Sequence, residues 1–111
     1  MKRKTFEDGL QSNLKLDPAK RYEIIQQSVK SDPWKLKCMI CMEELAELQQ
    51  RISKQVREFD DKVGLMEEMA DVYICLSFLE QIFNIKPDEM QKAIDVKLLR
   101  EKRRLEDEFS V

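Results

Sequence analysis

Glu43-Glu44-Leu45-Ala46-Glu47 and Glu67-Glu68-Met69-Ala70-Asp71 each hold an acidic pair at a spacing of three, Glu44 with Glu47 and Glu68 with Asp71. On an α-helix that spacing puts both side chains on one face, so each segment presents two carboxylates to the same side. One such pair alone is what the solvated helix of any charged protein carries. The neighbours argue for more. Helical steps onward from Glu68 and Asp71 reach Cys75, Phe78 and Ile82, and steps back from Glu44 and Glu47 reach Ile40. Carboxylates at the edge of an apolar interior repel one another and lose hydration, which costs several kcal/mol per unpaired charge unless they protonate or bind cations. Oxygen-only ligands without imidazole or thiolate suit Mg²⁺ or Mn²⁺ better than zinc or copper.

The elements that must position these pairs are helices. A chain of 111 residues has room for one core. With 42% hydrophobic and 38% charged residues, and only 2 Gly and 3 Pro, it is too periodic for disorder and too poor in turn formers for an all-β fold. An all-α fold follows. Residues 1–16 show no sustained period and read as an irregular N-terminal arm, leaving 17–111 as the helical domain. Asp17-Pro18 and Asp32-Pro33 are helix starts, an Asp cap followed by a Pro that fits the first turn. The first of these helices ends near Ser31. The second runs to about Phe59, with Cys38, Cys41, Leu45, Leu48 and Ile52 as its packing seam. Asp60-Asp61 caps a helix to Asn84, and Pro87 with Asp88 and Glu89 starts the last. The short connection between the helices bearing the two acidic segments makes them antiparallel and brings the carboxylates together across the bundle. From Met69 to Phe83 the chain is apolar almost all round, more than so short a bundle can cover. A four-helix-type bundle completed by homo-oligomerisation is therefore expected.

Other residue types restrict the chemistry. The absence of histidine removes Ser-His and Cys-His nucleophile pairs, zinc proteases and di-iron Glu-x-x-His bundles. Cys38, Cys41 and Cys75 are odd in number and lie in apolar runs, so they read as buried reduced thiols. No apolar leader follows Met-Lys-Arg-Lys and no window is long enough to span a membrane, so a cytoplasmic protein is expected. Residues 92–104 are rich in Lys and Arg. A net charge of −2, the acidic Glu106-Asp107-Glu108 and the lack of interleaved aromatics speak against a nucleic-acid partner. Trp34, the single tryptophan, either stacks on a nucleobase or packs against another helix.

Glu-x-x-Glu followed twenty residues later by Glu-x-x-Asp, on consecutive helices of a small all-α chain, resembles the MazG-like nucleoside triphosphate pyrophosphohydrolases, in the all-α superfamily that includes dimeric dUTPases. The likeness rests on Glu43 to Leu48 and Leu65 to Tyr73 and extends over roughly residues 33–104. It implies Glu44, Glu47, Glu68 and Asp71 as Mg²⁺ ligands and conversion of an NTP and water to an NMP and pyrophosphate, in a homodimer or homotetramer. It also implies a phosphate-binding role for Lys97 and Arg104 on the last helix, although Glu101 stands where the family commonly has an Asn. Glu43 or Glu44 would take the proton from water; Glu44 is favoured as a ligand and Glu43 as the outer candidate, because neighbouring helical residues point about 100° apart. Two alternatives stand beside this: a non-catalytic helical oligomerisation module, and a phosphoribosyl-ATP pyrophosphohydrolase with the same metal site.

Overall fold

The computed structural model describes residues 2–57 and 60–109. These form five helices and no strand among the described residues: α1 Lys2–Gln11, α2 Pro18–Ser31, α3 Trp34–Val56, α4 Lys62–Ile82 and α5 Pro87–Phe109. The start signals work through specific hydrogen bonds. Asp17 Oδ1 accepts from the Lys20 backbone N–H at 2.8 Å and Asp61 Oδ1 from that of Gly64 at 2.9 Å, each satisfying a donor that the helix start leaves orphaned. At α5, Glu89 reaches back from the first turn to accept from the Lys86 N–H at 2.9 Å.

Three sequence expectations need correction. Lys2–Gln11 is helical, so the irregular N-terminal segment shrinks from residues 1–16 to the stretch after Gln11. Its Lys, Arg, Glu and Gln residues are good helix formers, and α1 packs on α4, a tertiary contact that periodicity does not disclose. Asp32 does not cap α3: Pro33 takes the cap position without a side-chain bond, and the Asp32 carboxylate instead meets Lys37 Nζ at 2.7 Å. α3 ends at Val56, while Phe59, its expected end, lies outside the described residues.

α4 is the hub, with α3, α2 and α1 all packed on it. Contacts fix α3 and α4 as antiparallel, since partners on α3 advance as those on α4 retreat. At one end Trp34 meets Phe83 edge-on at 6.1 Å between ring centroids. Next, Lys37 Nζ lies 4.7 Å from the Phe78 ring centroid. Then the Cys41 thiol donates to the Cys75 carbonyl at 3.7 Å, and beyond the acidic segments Arg51 pairs with Asp61 at 3.5 Å. The seam of α3 is thus Lys37, Cys41, Glu44, Leu48 and Arg51, all buried or half-buried. The expected seam is rotated from this one, because Leu45 and Ile52 are exposed.

The outward faces of this hairpin stay apolar. Met39, Met42, Leu45, Ile52 and Val56 on α3, and Met66, Met69, Tyr73 and Leu76 on α4, are all solvent-exposed. α5 stands away from the body, with every residue from Gln91 to Glu108 exposed. The accessible surface of 9504 Å² exceeds the roughly 6,400 Å² of a compact monomer of 13.3 kDa. The radius of gyration of 17.3 Å likewise exceeds the roughly 13 Å of a compact domain of this length.

Candidate functional site

The antiparallel register sets Glu44 opposite Asp71 and Glu47 opposite Glu68, midway between the Cys41/Cys75 and Arg51/Asp61 contacts. Carboxylate oxygens of Glu44, Glu68 and Asp71 all lie within 4.8 Å of one another. These three residues are half-buried, whereas Glu47 is exposed at the rim. Glu44 Oε2 and Glu68 Oε2 are shielded from solvent and accept no hydrogen bond from any described residue. A buried carboxylate oxygen without a donor costs on the order of 1–3 kcal/mol, so folding accumulates unfavourable charge at this place.

The protonation equilibria carry the same strain. Burial, then the negative charges of Asp71 and Glu47, push the Glu44 carboxyl from 4.5 up to about 7. Glu68 is also raised, first by burial and then by Glu47, Asp71 and Glu67, with Arg51 pulling partly the other way. Glu44 and Glu68 thus feel the negative charges of Asp71, Glu47 and Glu67, with Arg51 as the cation acting on Glu68, and Arg51 is itself turned to Asp61.

The floor of the site is chemically inert. Cys75 and Cys41, one turn from Asp71 and Glu44 respectively, are both buried, and burial pushes the Cys75 thiol up to about 12. A buried thiol so far from ionisation is a poor nucleophile. The three cysteines are free, as their distribution in apolar runs implied, with Cys38 half-buried. The donors that converge here are carboxylate oxygens within 4.8 Å of one another, a looser cluster than the roughly 2.9 Å between neighbouring ligands of an octahedral Mg²⁺ ion. Glu44, Glu68 and Asp71 supply hard oxygen donors of the kind Mg²⁺ takes, and Glu47 stands beside them at the exposed rim.

The remaining sequence candidates are not brought to this cluster. Trp34 packs on Phe83, and Phe83 lies twelve residues, about 18 Å, along α4 from Asp71. Glu43 is exposed on the flank of α3 beside Glu44. Lys97 and Arg104 lie on the detached α5, where Arg104 is engaged by Glu101 and Glu108 of its own helix. Sequence reasoning missed Arg51 and Lys37, the charged residues that close the seam at its two ends. The signal was present, since both fall on the three-and-four spacing that runs through Glu44; following apolar residues alone hid it.

Comparison with protein-family models, curated proteins and solved structures finds no match to this chain. The functional reading consequently rests on the residues and their geometry. Among the described residues, no helix is long and apolar enough to cross a membrane.

Proposed function

We propose that this chain is a Mg²⁺-dependent nucleoside triphosphate pyrophosphohydrolase that converts a (d)NTP to a (d)NMP and pyrophosphate, acting as a cytoplasmic homodimer or homotetramer. The observation that carries this reading is the convergence of Glu44, Glu68 and Asp71 from two antiparallel helices, with two buried carboxylate oxygens lacking any described donor. Mg²⁺, or Mn²⁺ in its place, held by Glu44, Glu47, Glu68 and Asp71 would supply positive charge to the phosphate oxygens and acidify the attacking water. A triphosphate carries about four negative charges, so without a cation the same carboxylates repel it and binding is lost.

The chain's own residues divide the remaining work. Glu43, exposed beside the cluster, is the outer candidate for the proton acceptor, and Glu44 the inner one. Lys97 and Arg104 offset the charge of the departing pyrophosphate. Trp34 meets Phe83 edge-on yet is 53% exposed, so its ring keeps surface on which a nucleobase can stack. A bundle completed between copies would cover the exposed apolar residues of α3 and α4.

Those faces also favour the second reading, a non-catalytic oligomerisation module with idle glutamates. Phosphorus NMR of a nucleotide panel incubated with the protein and Mg²⁺ separates the two. Monophosphate and pyrophosphate in equal amounts are expected; diphosphate with inorganic phosphate would refute the reaction assigned, and unchanged nucleotides would favour the module.

A further inference from the structure

α5 contains Met90, Ile94, Leu98 and Leu105 on one stripe, yet Ile94, Leu98 and Leu105 are 43%, 61% and 42% exposed. The connection before it is closed by local hydrogen bonds. Asn84 adopts the left-handed conformation, φ 54°, and the Ile85 N–H donates to the Glu80 carbonyl at 2.8 Å while Asn84 N–H donates to Gln81. This is a Schellman closure of α4, followed at once by the Glu89 bond to Lys86 N–H that starts α5. Hydrogen bonds at both ends hold the four-residue connection between Ile82 and Pro87, and beyond it the apolar stripe of α5 faces solvent.

Three further observations indicate what covers the stripe. The surplus of roughly 3,000 Å² over a compact monomer is at least what each partner buries in an obligate homo-oligomer, roughly 1,000–2,500 Å². The hairpin of α3 and α4 offers apolar faces with no described partner, and copies of one chain possess both surfaces in equal number. Charge is complementary as well. Lys97, Arg100 and Arg104 follow one edge of the α5 stripe at helical spacing, and Lys97 and Arg100 pair with no described residue, while the seam of α3 and α4 carries four carboxylates.

We propose that the site is shared between copies: α5 of one protomer packs its Ile94–Leu98–Leu105 stripe on a second copy of this chain and brings Lys97, Arg100 and Arg104 to that copy's Glu44, Glu47, Glu68 and Asp71. This deepens the pyrophosphohydrolase reading and rests on it for the role of the basic residues as phosphate ligands. The acidic half of each site then comes from one protomer and the basic half from another.

Two measurements test this independently. In the first, ¹⁴N- and ¹⁵N-labelled chains are refolded together, mixed oligomers are verified by native mass, and the sample is treated with a zero-length carbodiimide. Cross-linked peptides joining Lys97 to Glu43 or Glu47 are expected in mixed-isotope form; links only within one isotope, or a protein that stays at 13.3 kDa, would overturn the proposal. In the second, Asp71→Asn and the Lys97→Ala/Arg104→Ala double variant, each inactive alone, are refolded together. Shared sites restore about a quarter of the wild-type rate, because one site in four draws both intact halves. No restoration, with wild type active, would place both halves in one chain. A wild type that releases no pyrophosphate would instead refute the pyrophosphohydrolase reading and leave the cross-links to decide where α5 sits.

Discussion

At the scale of single residues, the site is a place where the fold tolerates repulsion. Asp71 faces Glu44 and raises its proton affinity, so Asp71→Asn removes one like charge from a half-buried group. The expected outcome is a metal-free protein more stable by about 1 kcal/mol at pH 7, read as a higher melting temperature, with hydrolysis abolished. The pH dependence has a definite sign. Glu44 binds its proton more tightly folded, at about 7, than unfolded, at 4.5, so its contribution to stability is complete below 4.5 and is lost as pH rises through 7. Urea melts in EDTA should show stability falling between pH 5 and 8, by on the order of 2 kcal/mol after allowance for solvent screening. Saturating Mg²⁺ should offset that loss, since a ligand bound by the folded form alone stabilises it. A flat profile in EDTA would mean that the cluster is solvated. The acidic pairs were legible in the sequence because spacing of three on a helix is a strict rule, and Glu68 and Asp71 do share the face of Cys75. Arg51 and Lys37 were not, because the distinction between a charged residue on a seam and one on a surface is made by tertiary contact.

Elements were legible where local chemistry alone decides them. Asp17-Pro18, Asp61 and Pro87 start helices by caps and fixed φ angles, and these starts occur where the sequence places them. α1 was not, since Lys2–Gln11 has no apolar period and is held by packing on α4. Nor was the rotation of α3. Its apolar residues Leu45 and Ile52 point to water, and its buried side takes Lys37, whose Nζ meets Asp32 at 2.7 Å and Ser28 Oγ at 2.9 Å above the Phe78 ring. That lysine joins α2, α3 and α4. Lys37→Ala should cost about 2–4 kcal/mol in a denaturant melt, because it removes the partner of a half-buried carboxylate and empties the space over Phe78. Lys37→Met, which restores the volume, should recover part of the loss; a neutral Lys37→Ala would show that the pairing contributes nothing.

For the whole molecule, the sequence anticipated more apolar surface than one short bundle covers, and the surface left by the described helices bears that out in kind. Composition could not say which faces remain open, because a helix that is apolar nearly all round has no preferred side until its neighbours are known. α1, α2 and α3 all pack on α4, yet Met66, Met69 and Tyr73 stay exposed. Light scattering after gel filtration should give at least twice 13.3 kDa, and Leu98→Asp on α5 should shift the protein toward smaller species. A wild type at 13.3 kDa would leave the apolar faces without the proposed cover.

Pyrophosphate release from a panel of ribo- and deoxynucleoside triphosphates, with Mg²⁺ and with EDTA, tests the central claim most directly when wild type is compared with Asp71→Asn. Release that requires Mg²⁺ and disappears in the variant, with the variant folded and at least as heat-stable as wild type, is the expected result. Release that persists in EDTA or survives Asp71→Asn at near-normal turnover would contradict it, for the carboxylates that converge from α3 and α4 would then have no part in the chemistry.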